Sequence, residues 1–319
     1  MNAPVAPELI ERSASPFDLD DDATYLRWRD WKLGTQPRCI DDLSVDVADP
    51  RSLTEPERAA LLARIGCANF AVYRPRQCDE DPNLARALGA QLGLHRLDAN
   101  WLADEDGISR VAVSQNSDGR GGFIAYTNKP IGWHTDGYYH PQQRRIQAMI
   151  LHCVRPARRG GVNGLLDHEI AYIALRDASK DHVRALMQPD TMTIPARSDP
   201  GNADGVAREA QAGAVFSVDA AQGHLHLRYT ARQRSIEWQA DSATQAARLC
   251  LEGVLAGAGL PTGLPILRVR LDSGSGIVGH NILHDRTGFD DDPLHPRLLY
   301  RARYLDRIDA LAAAAWRIG

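Results

Sequence analysis

The sequence predicts an α+β protein in which a β-barrel core is flanked by N-terminal helices and carries a long insertion. Three observations predict it. Helix-period segments with capping signals crowd the first part of the chain. From about residue 108 the texture changes to short β-like runs broken by Gly, Pro and Asn. Helical segments then return only as interruptions between those runs.

Residues 1 to about 16 carry two prolines early on and no clear period, the pattern of a frayed end. Tyr25, Trp28 and Trp31 recur at helical spacing and predict a short helix that lays aromatic rings on the main body. Thr54 opens a capping-box-like segment with Pro56 near its first turn, and good helix formers carry it to Gly66. Asn69 to Arg74 reads as a strand, and a second helix runs from Pro82 to Leu92, closed by Gly93. Val111–Val113, Phe123–Tyr126, Ile146–Val154, Val215–Val218, His224–Tyr229, Ile266–Leu271 and Gly276–Leu283 read as strands. His168–Arg176, Lys180–Met187 and Ser242–Leu255 read as helices. The expected division is one domain over 1–319. It comprises an N-terminal extension 1–53, a helical flank 54–107 and a core 108–305 with an insertion at about 164–215. Within that insertion, the Pro, Gly and Asp residues of 188–215 suggest a mobile lid.

Bulk properties narrow the function. The 319 residues are 44% apolar and 24% charged, an ordinary globular balance able to bury a core without staples. The net charge of −4 gives no footprint for nucleic acid, although Arg144 and Arg145 form a small basic pair. Five cysteines, Cys39, Cys67, Cys78, Cys153 and Cys250, never form a C-x-x-C pair, which argues against a structural zinc site and a disulfide framework. The N-terminal segment lacks an apolar core of the signal-peptide kind, and no run is long enough to cross a bilayer. The expectation is a cytoplasmic protein acting on a small molecule, with no membrane or nucleic-acid partner; nothing in the sequence speaks against a homo-oligomer.

The informative stretch is Tyr126 to His140, which contains His134-Thr-Asp136. On an extended chain, residues two apart face the same way, so one imidazole and one carboxylate can reach a single ion. His284 closes a β-like run 148 residues after Asp136, and Arg297 and Arg301 follow it. Two His and one carboxylate on one face leave positions open for a cosubstrate and dioxygen, the facial triad of non-haem iron(II) enzymes. A downstream Arg supplies a planar fork for the far carboxylate of a dicarboxylic cosubstrate. The compound pattern is far more specific than any one part.

These residues resemble the taurine dioxygenase and clavaminate synthase-like superfamily of iron and 2-oxoglutarate oxygenases, over roughly residues 55 to 305. The Ala125-Tyr-Thr…His134-Thr-Asp136…Tyr139 segment, with Leu151-His-Cys and Gly160-Gly161, looks most like the γ-butyrobetaine and trimethyllysine hydroxylase branch. Asn281-(x)2-His284-x-Arg286-(x)2-Phe289 and the block from Arg297 through Arg301 to Asp306 resemble the family's distal-His and Arg region. The resemblance implies a double-stranded β-helix (jelly-roll) core, with iron(II) held by His134, Asp136 and His284. It implies that 2-oxoglutarate is clamped by Arg297, with Arg301 facing cosubstrate or substrate, and that dioxygen is consumed. The implied reaction couples substrate C–H hydroxylation to decarboxylation of 2-oxoglutarate to succinate. At the position of Tyr126, the carnitine-forming enzymes use a tyrosine to cage a quaternary ammonium group by cation–π attraction. Trp101, Tyr138 and Tyr139 are further cage candidates. The family often places Thr or Ser after its Gly-Gly pair; here Asn163 stands nearby instead, and the cysteine-bearing zinc module of γ-butyrobetaine hydroxylase is missing.

The run from His224 to Arg234 is the other dense polar cluster. His224, His226 and Arg228 share one face of a strand. Two readings stay open: a substrate-facing wall in which Arg228 or Arg232 recognises an anion, or a solvated face with satisfied histidines. His140, His152 and His168 carry no partner pattern and read as structural, and Asp290–Asp292 reads as a solvated turn. Two rivals remain: a zinc or cupin-like barrel enzyme (hydrolase or isomerase) using the same three ligands, and a barrel that has lost catalysis.

Overall fold

The computed structural model describes residues 15–76, 80–98, 107–114, 123–198, 206–220, 222–232 and 236–310. Two sheets form the centre. The larger has six strands in the order Ser44–Val47, Phe70–Pro75, Gly276–His280, Ala148–Arg155, Leu298–Tyr304 and Ser109–Val111. The smaller has four, in the order Leu267–Val269, Asn163–Leu166, Leu283–Arg286 and Ile131–His134. Pairing within both sheets is antiparallel, except where Ser44–Val47 runs parallel to Phe70–Pro75.

Alternation along the strands builds two cores at once. Phe70, Val72, Ile277 and Leu299 of the large sheet meet Leu165, Leu267 and Val269 of the small one. Their neighbours Ala71, Tyr73, Val278 and Tyr300 point to the other face, where they pack on Leu61 and Ile65 of helix α2 (Glu55–Ala68) and Leu88 of helix α3 (Asn83–Gln91). Helix α1 (Asp22–Thr35) buries Tyr25 and Trp28, with the Trp28 ring 6.3 Å from Tyr172. Tyr172 lies on α4 (His168–Ala178), which packs with α5 (Lys180–Leu186) and α6 (Ser242–Leu255) around a third core. Lys32 joins these parts. Fully buried, its ammonium bonds to the Asp167 and Glu169 carboxylates at 2.7 and 2.5 Å and to the Cys67 carbonyl.

The α+β content agrees with the sequence reading, and α6 has the expected limits. Helix α2 runs past Gly66 to Ala68 and stops on Asn69, which takes the left-handed conformation at φ 66°. Three expectations need correction. Phe123–Tyr126 is not a strand: Ile124–Tyr126 forms a single 3-10 turn, closed by the Thr127 backbone N–H and hydroxyl on the Ile124 carbonyl. The run Gly276–Leu283 is not one strand but the end of one and the start of another, because Asn281 and Ile282 carry the chain from the large sheet to the small. The 188–215 segment is not a plain loop. Met192–Ile194 pairs with Gln211–Gly213 and Arg197–Ser198 with Val206–Arg208, while 199–205 lies outside the described residues. Asn163–Leu166, where the insertion was expected to begin, is a strand of the small sheet. No described helix is long and apolar enough to cross a membrane.

Candidate metal and cosubstrate site

Antiparallel register brings the two histidines together. His284 pairs directly with His134 across adjacent strands of the small sheet, and their rings lie 4.2 Å apart. Asp136 follows in the turn after the strand, and the ligand atoms of His134, Asp136 and His284 all lie within 4.8 Å of one another.

Each group is locked from behind. The Nδ1 atoms of His134 and His284 lie 3.0 Å from the carbonyls of Gly132 and Ile282, respectively. A hydrogen bond there puts the proton on Nδ1 and turns the Nε2 lone pairs towards the shared point, the arrangement metal-ligating histidines adopt. The Asn281 amide grips the backbone around Asp136. Its Oδ1 accepts from the Asp136 N–H at 2.8 Å, while its Nδ2 donates to the Asp136 and Ile146 carbonyls at 2.8 and 3.0 Å. Gly137 permits the tight turn that follows, at φ 64°; a Cβ there would stand 2.5 Å from Ile146 and 2.7 Å from His140.

The electrostatics favour the charge states a cation needs. Loss of hydration and the neighbouring His284 push His134 down to about 3, so it is neutral at pH 7. Burial works against the Asp136 carboxylate, but Arg301, Arg303 and the two histidines outweigh it and hold the group well below the usual range. Arg301 Nη1 lies 3.3 Å from Asp136 Oδ1, whereas the buried Oδ2 has no hydrogen-bond partner among the described residues. A buried carboxylate oxygen left unpaired is costly unless a cation takes it. The donor set therefore fits a divalent ion.

Arg297 is buried, with its guanidinium carbon 4.9 Å from the centre of the Phe289 ring. Asp291 fixes its position by accepting from the Arg297 backbone N–H at 2.6 Å. Burial lowers its pKa to about 10, and its buried Nη1 lacks a partner among the described residues. Arg297 shares a small recess with Gly160, Gly161 and Asn163; the Asn163 amide also approaches the Val269 carbonyl at 3.5 Å. A cavity of about 240 Å³ opens beside Asp136, with Tyr138, His140, Arg145, Ser217, His226 and Arg228 among its lining.

The other expected site residues divide. Tyr138 lines the cavity, and its hydroxyl accepts from Arg232 at 3.2 Å. Tyr126 is buried in its 3-10 turn. Arg228 also reaches the cavity, but its guanidinium donates to four main-chain carbonyls, those of Tyr138, Met192, Gly213 and Gln211. His224 lines a larger, adjoining cleft of about 650 Å³, which shares Arg145 and His226 with the cavity beside Asp136. Tyr139 accepts from Arg303, which also pairs with the buried Asp98. His152 bonds the Tyr73 hydroxyl and His168 the Leu225 carbonyl, as structural histidines do. Trp101 and Arg234 lie outside the described residues. The sequence reading assigned no role to Asn281 or Arg286. Arg286 sits two residues beyond His284 and donates to the carbonyls of Thr127 and Lys129, tying down the segment after Tyr126. The signal for both was the spacing Asn281-(x)2-His284-x-Arg286.

A two-sheet core that presents two histidines and a carboxylate on one face, beside a buried arginine, defines the class of non-haem metal oxygenases. The profile described as "Taurine catabolism dioxygenase TauD, TfdA family" matches residues 32–253, and the chain belongs to that family. The match takes in His134 and Asp136, whereas His284, Arg297 and Arg301 lie beyond it. A uridine-5'-phosphate dioxygenase from Streptomyces sp is 32% identical over 203 residues, which is 62% of this chain and 69% of that one. A second, from Amycolatopsis sp, is 32% identical over 181 residues, 54% of this chain and 60% of its own. Among solved structures, asparagine oxygenase with Fe(II), 2S,3S-3-hydroxyasparagine and succinate superposes with a TM-score of 0.52 at 16% identity, covering 89% and 92% of the two chains. AAD-2 with Mn(II) and N-oxalylglycine gives 0.55 at 15% identity, covering 84% of this chain and 97% of its own. The protein is a 2-oxoglutarate-dependent dioxygenase, with iron(II) as its metal and dioxygen as its oxidant. These relatives do not favour the γ-butyrobetaine hydroxylase branch.

Proposed function

We propose that the enzyme hydroxylates a small polar metabolite, coupling C–H oxidation to decarboxylation of 2-oxoglutarate to succinate. The observation that carries this reading is the convergence of His134, Asp136 and His284, together with a buried Asp136 Oδ2 that has no partner among the described residues. In this reading those three side chains hold iron(II), on one domain whose two sheets are the halves of a jelly-roll. When bound, the metal and its cosubstrate supply the dioxygen activation that the side chains lack.

The chain's own residues do the rest. Arg297 receives the distal carboxylate of 2-oxoglutarate, because its buried, partnerless N–H lies in a recess with no competing carboxylate side chain in its lining. Asn163 stands beside it as the polar neighbour. Arg301 steadies Asp136 and screens its charge from the cosubstrate. Asn281 and Gly137 fix the direction of the carboxylate. Tyr138, Arg228 and the buried Tyr126 shape the substrate side. The adjoining cavity is somewhat smaller than the ~300–1,000 Å³ usual for ligand sites, which suits a small metabolite. The 32% identity to enzymes named for uridine 5'-phosphate supports a nucleotide as the first substrate to try, with polar amino acids next.

The test is anaerobic loading with iron(II) and 2-oxoglutarate, read by visible spectroscopy. A weak charge-transfer band needing both additions, and at least tenfold more 2-oxoglutarate to form in Arg297→Ala, is expected. Substrates are then screened by succinate release. Absence of the band, together with no 2-oxoglutarate binding by calorimetry, would return the site to a zinc or cupin-like barrel enzyme.

A further inference from the structure

The adjacent arginines Arg144 and Arg145 part company in the fold. Arg144 turns to the buried Asp98, with Nη2 at 2.9 Å from Oδ1. Arg145 follows the short turn Gln142–Arg144 and stands between the larger cleft and the cavity beside Asp136, lining both, with its Nη1 on Ser217 in the wall of the second. We infer that Arg145 is the specificity-determining residue of this enzyme, receiving an anionic group of the substrate, a phosphate or a carboxylate. The inference rests on the reading of that cavity as the substrate site.

Three comparisons within the cavity lead there. Arg228 is spent on four backbone carbonyls, so its charge organises the wall rather than a ligand. His226 is held neutral, pushed down to about 3 by burial and by Arg145, and its Nε2 faces the Ile146 carbonyl at 3.3 Å. Among the described residues Arg145 makes two long bonds, to Ser217 Oγ at 3.3 Å and Asp219 Oδ2 at 3.2 Å, and the rest of its fork has no described partner. The Arg145 and Asp219 side chains are 19% and 31% exposed, so the long pair between them is partly solvated and an incoming oxyanion can compete with Asp219 for the guanidinium. Ser217 accepts from Arg145 and so keeps its own hydrogen to donate, giving a second donor beside the first. An arginine fork with a hydroxyl at its side suits a tetrahedral or planar oxyanion.

The experiment compares wild type, Arg145→Gln and Arg145→Lys as iron(II)–2-oxoglutarate complexes, with band perturbation as the readout. The probes are uridine 5'-phosphate against uridine, and L-asparagine against its carboxamide. The expected result is that the probe carrying the phosphate or α-carboxylate shifts the wild-type band and the counterpart lacking that group does so at least tenfold more weakly. In Arg145→Gln that preference disappears although the cosubstrate band still forms, which also shows that the variant is folded; Arg145→Lys restores part of it. A response to the nucleotide alone assigns the site to phosphate, and a response to the amino acid alone assigns it to carboxylate. An unchanged preference in Arg145→Gln, or no preference in wild type, overturns the inference while leaving the metal site intact. Failure of the wild-type band to form would instead bring down the metal-site reading and this inference with it.

Discussion

Replacing Asn281 with alanine tests whether the fold or only the ligand types make the metal site. The amide makes three buried bonds, one from the Asp136 N–H and two to the carbonyls of Asp136 and Ile146. Each is worth about 1 kcal/mol net, and a buried N–H left unsatisfied costs a further ~1–3 kcal/mol. The alanine variant should therefore lose about 4–6 kcal/mol in urea unfolding of the metal-free protein. The turn carrying Asp136 also loses its anchor, and removing such a supporting group typically weakens metal affinity about 10–100-fold. Asn281→Asp should be at least as damaging, because it keeps the acceptor but turns an oxygen towards two carbonyls. Mn(II) titration followed by electron paramagnetic resonance measures affinity without turnover. Normal Mn(II) affinity in a destabilised Asn281→Ala protein would refute the positioning argument and reduce Asn281 to a packing residue.

Gly137→Ala places a Cβ at φ 64° within 2.5 Å of Ile146, so it should lower thermal stability and abolish metal binding together, checked by melting with and without Mn(II). Lys32→Met leaves the Asp167 and Glu169 carboxylates buried without their cation, and a loss of about 3–5 kcal/mol is expected in denaturant titration. His226 is neutral in the folded protein and pushed down to about 3, whereas the unfolded chain protonates near 6.5. Its contribution is therefore complete above pH 6.5 and is lost as the pH falls from there towards 3, by up to about 1.4 kcal/mol per pH unit. His226→Gln should flatten that part of the stability profile of the metal-free protein, measured by urea unfolding between pH 7 and pH 4.5.

The helices were legible because their signals are local. Thr54 forms the expected capping box with Glu57, and Tyr25 and Trp28 lie on one buried stripe. The same holds for the members of the cluster proposed to hold the metal: His134-Thr-Asp136 is a short motif, and His284 was singled out through its neighbours Asn281 and Arg286 and the arginines that follow. Where a backbone choice depended on partners far along the chain, the local pattern misled. Phe123–Tyr126 has strand-like composition, yet no described strand pairs with it: the Phe123 and Ile124 carbonyls close the turn on the Tyr126 and Thr127 N–H groups, and the Ala125 carbonyl faces Arg286 at 3.5 Å. Gly276–Leu283 looks like one strand, because nothing in its composition marks Asn281 as the point where the chain changes sheets. On paper Arg228, with Arg232 as its alternative, was the expected anion binder, and Arg145 was only half of a small basic pair. Only the folded structure commits Arg228 to four carbonyls and leaves Arg145 lining the cavity, since hydrogen bonds to main-chain carbonyls carry no sequence signature. The sequence alone thus determined which chemistry is available and the local helices. Tertiary structure decided the meeting of His134 with His284, the anchoring of Asp136 and the choice among arginines, because the first two depend on pairing across well over a hundred residues and the third on carbonyls brought in from other strands, which no local pattern encodes.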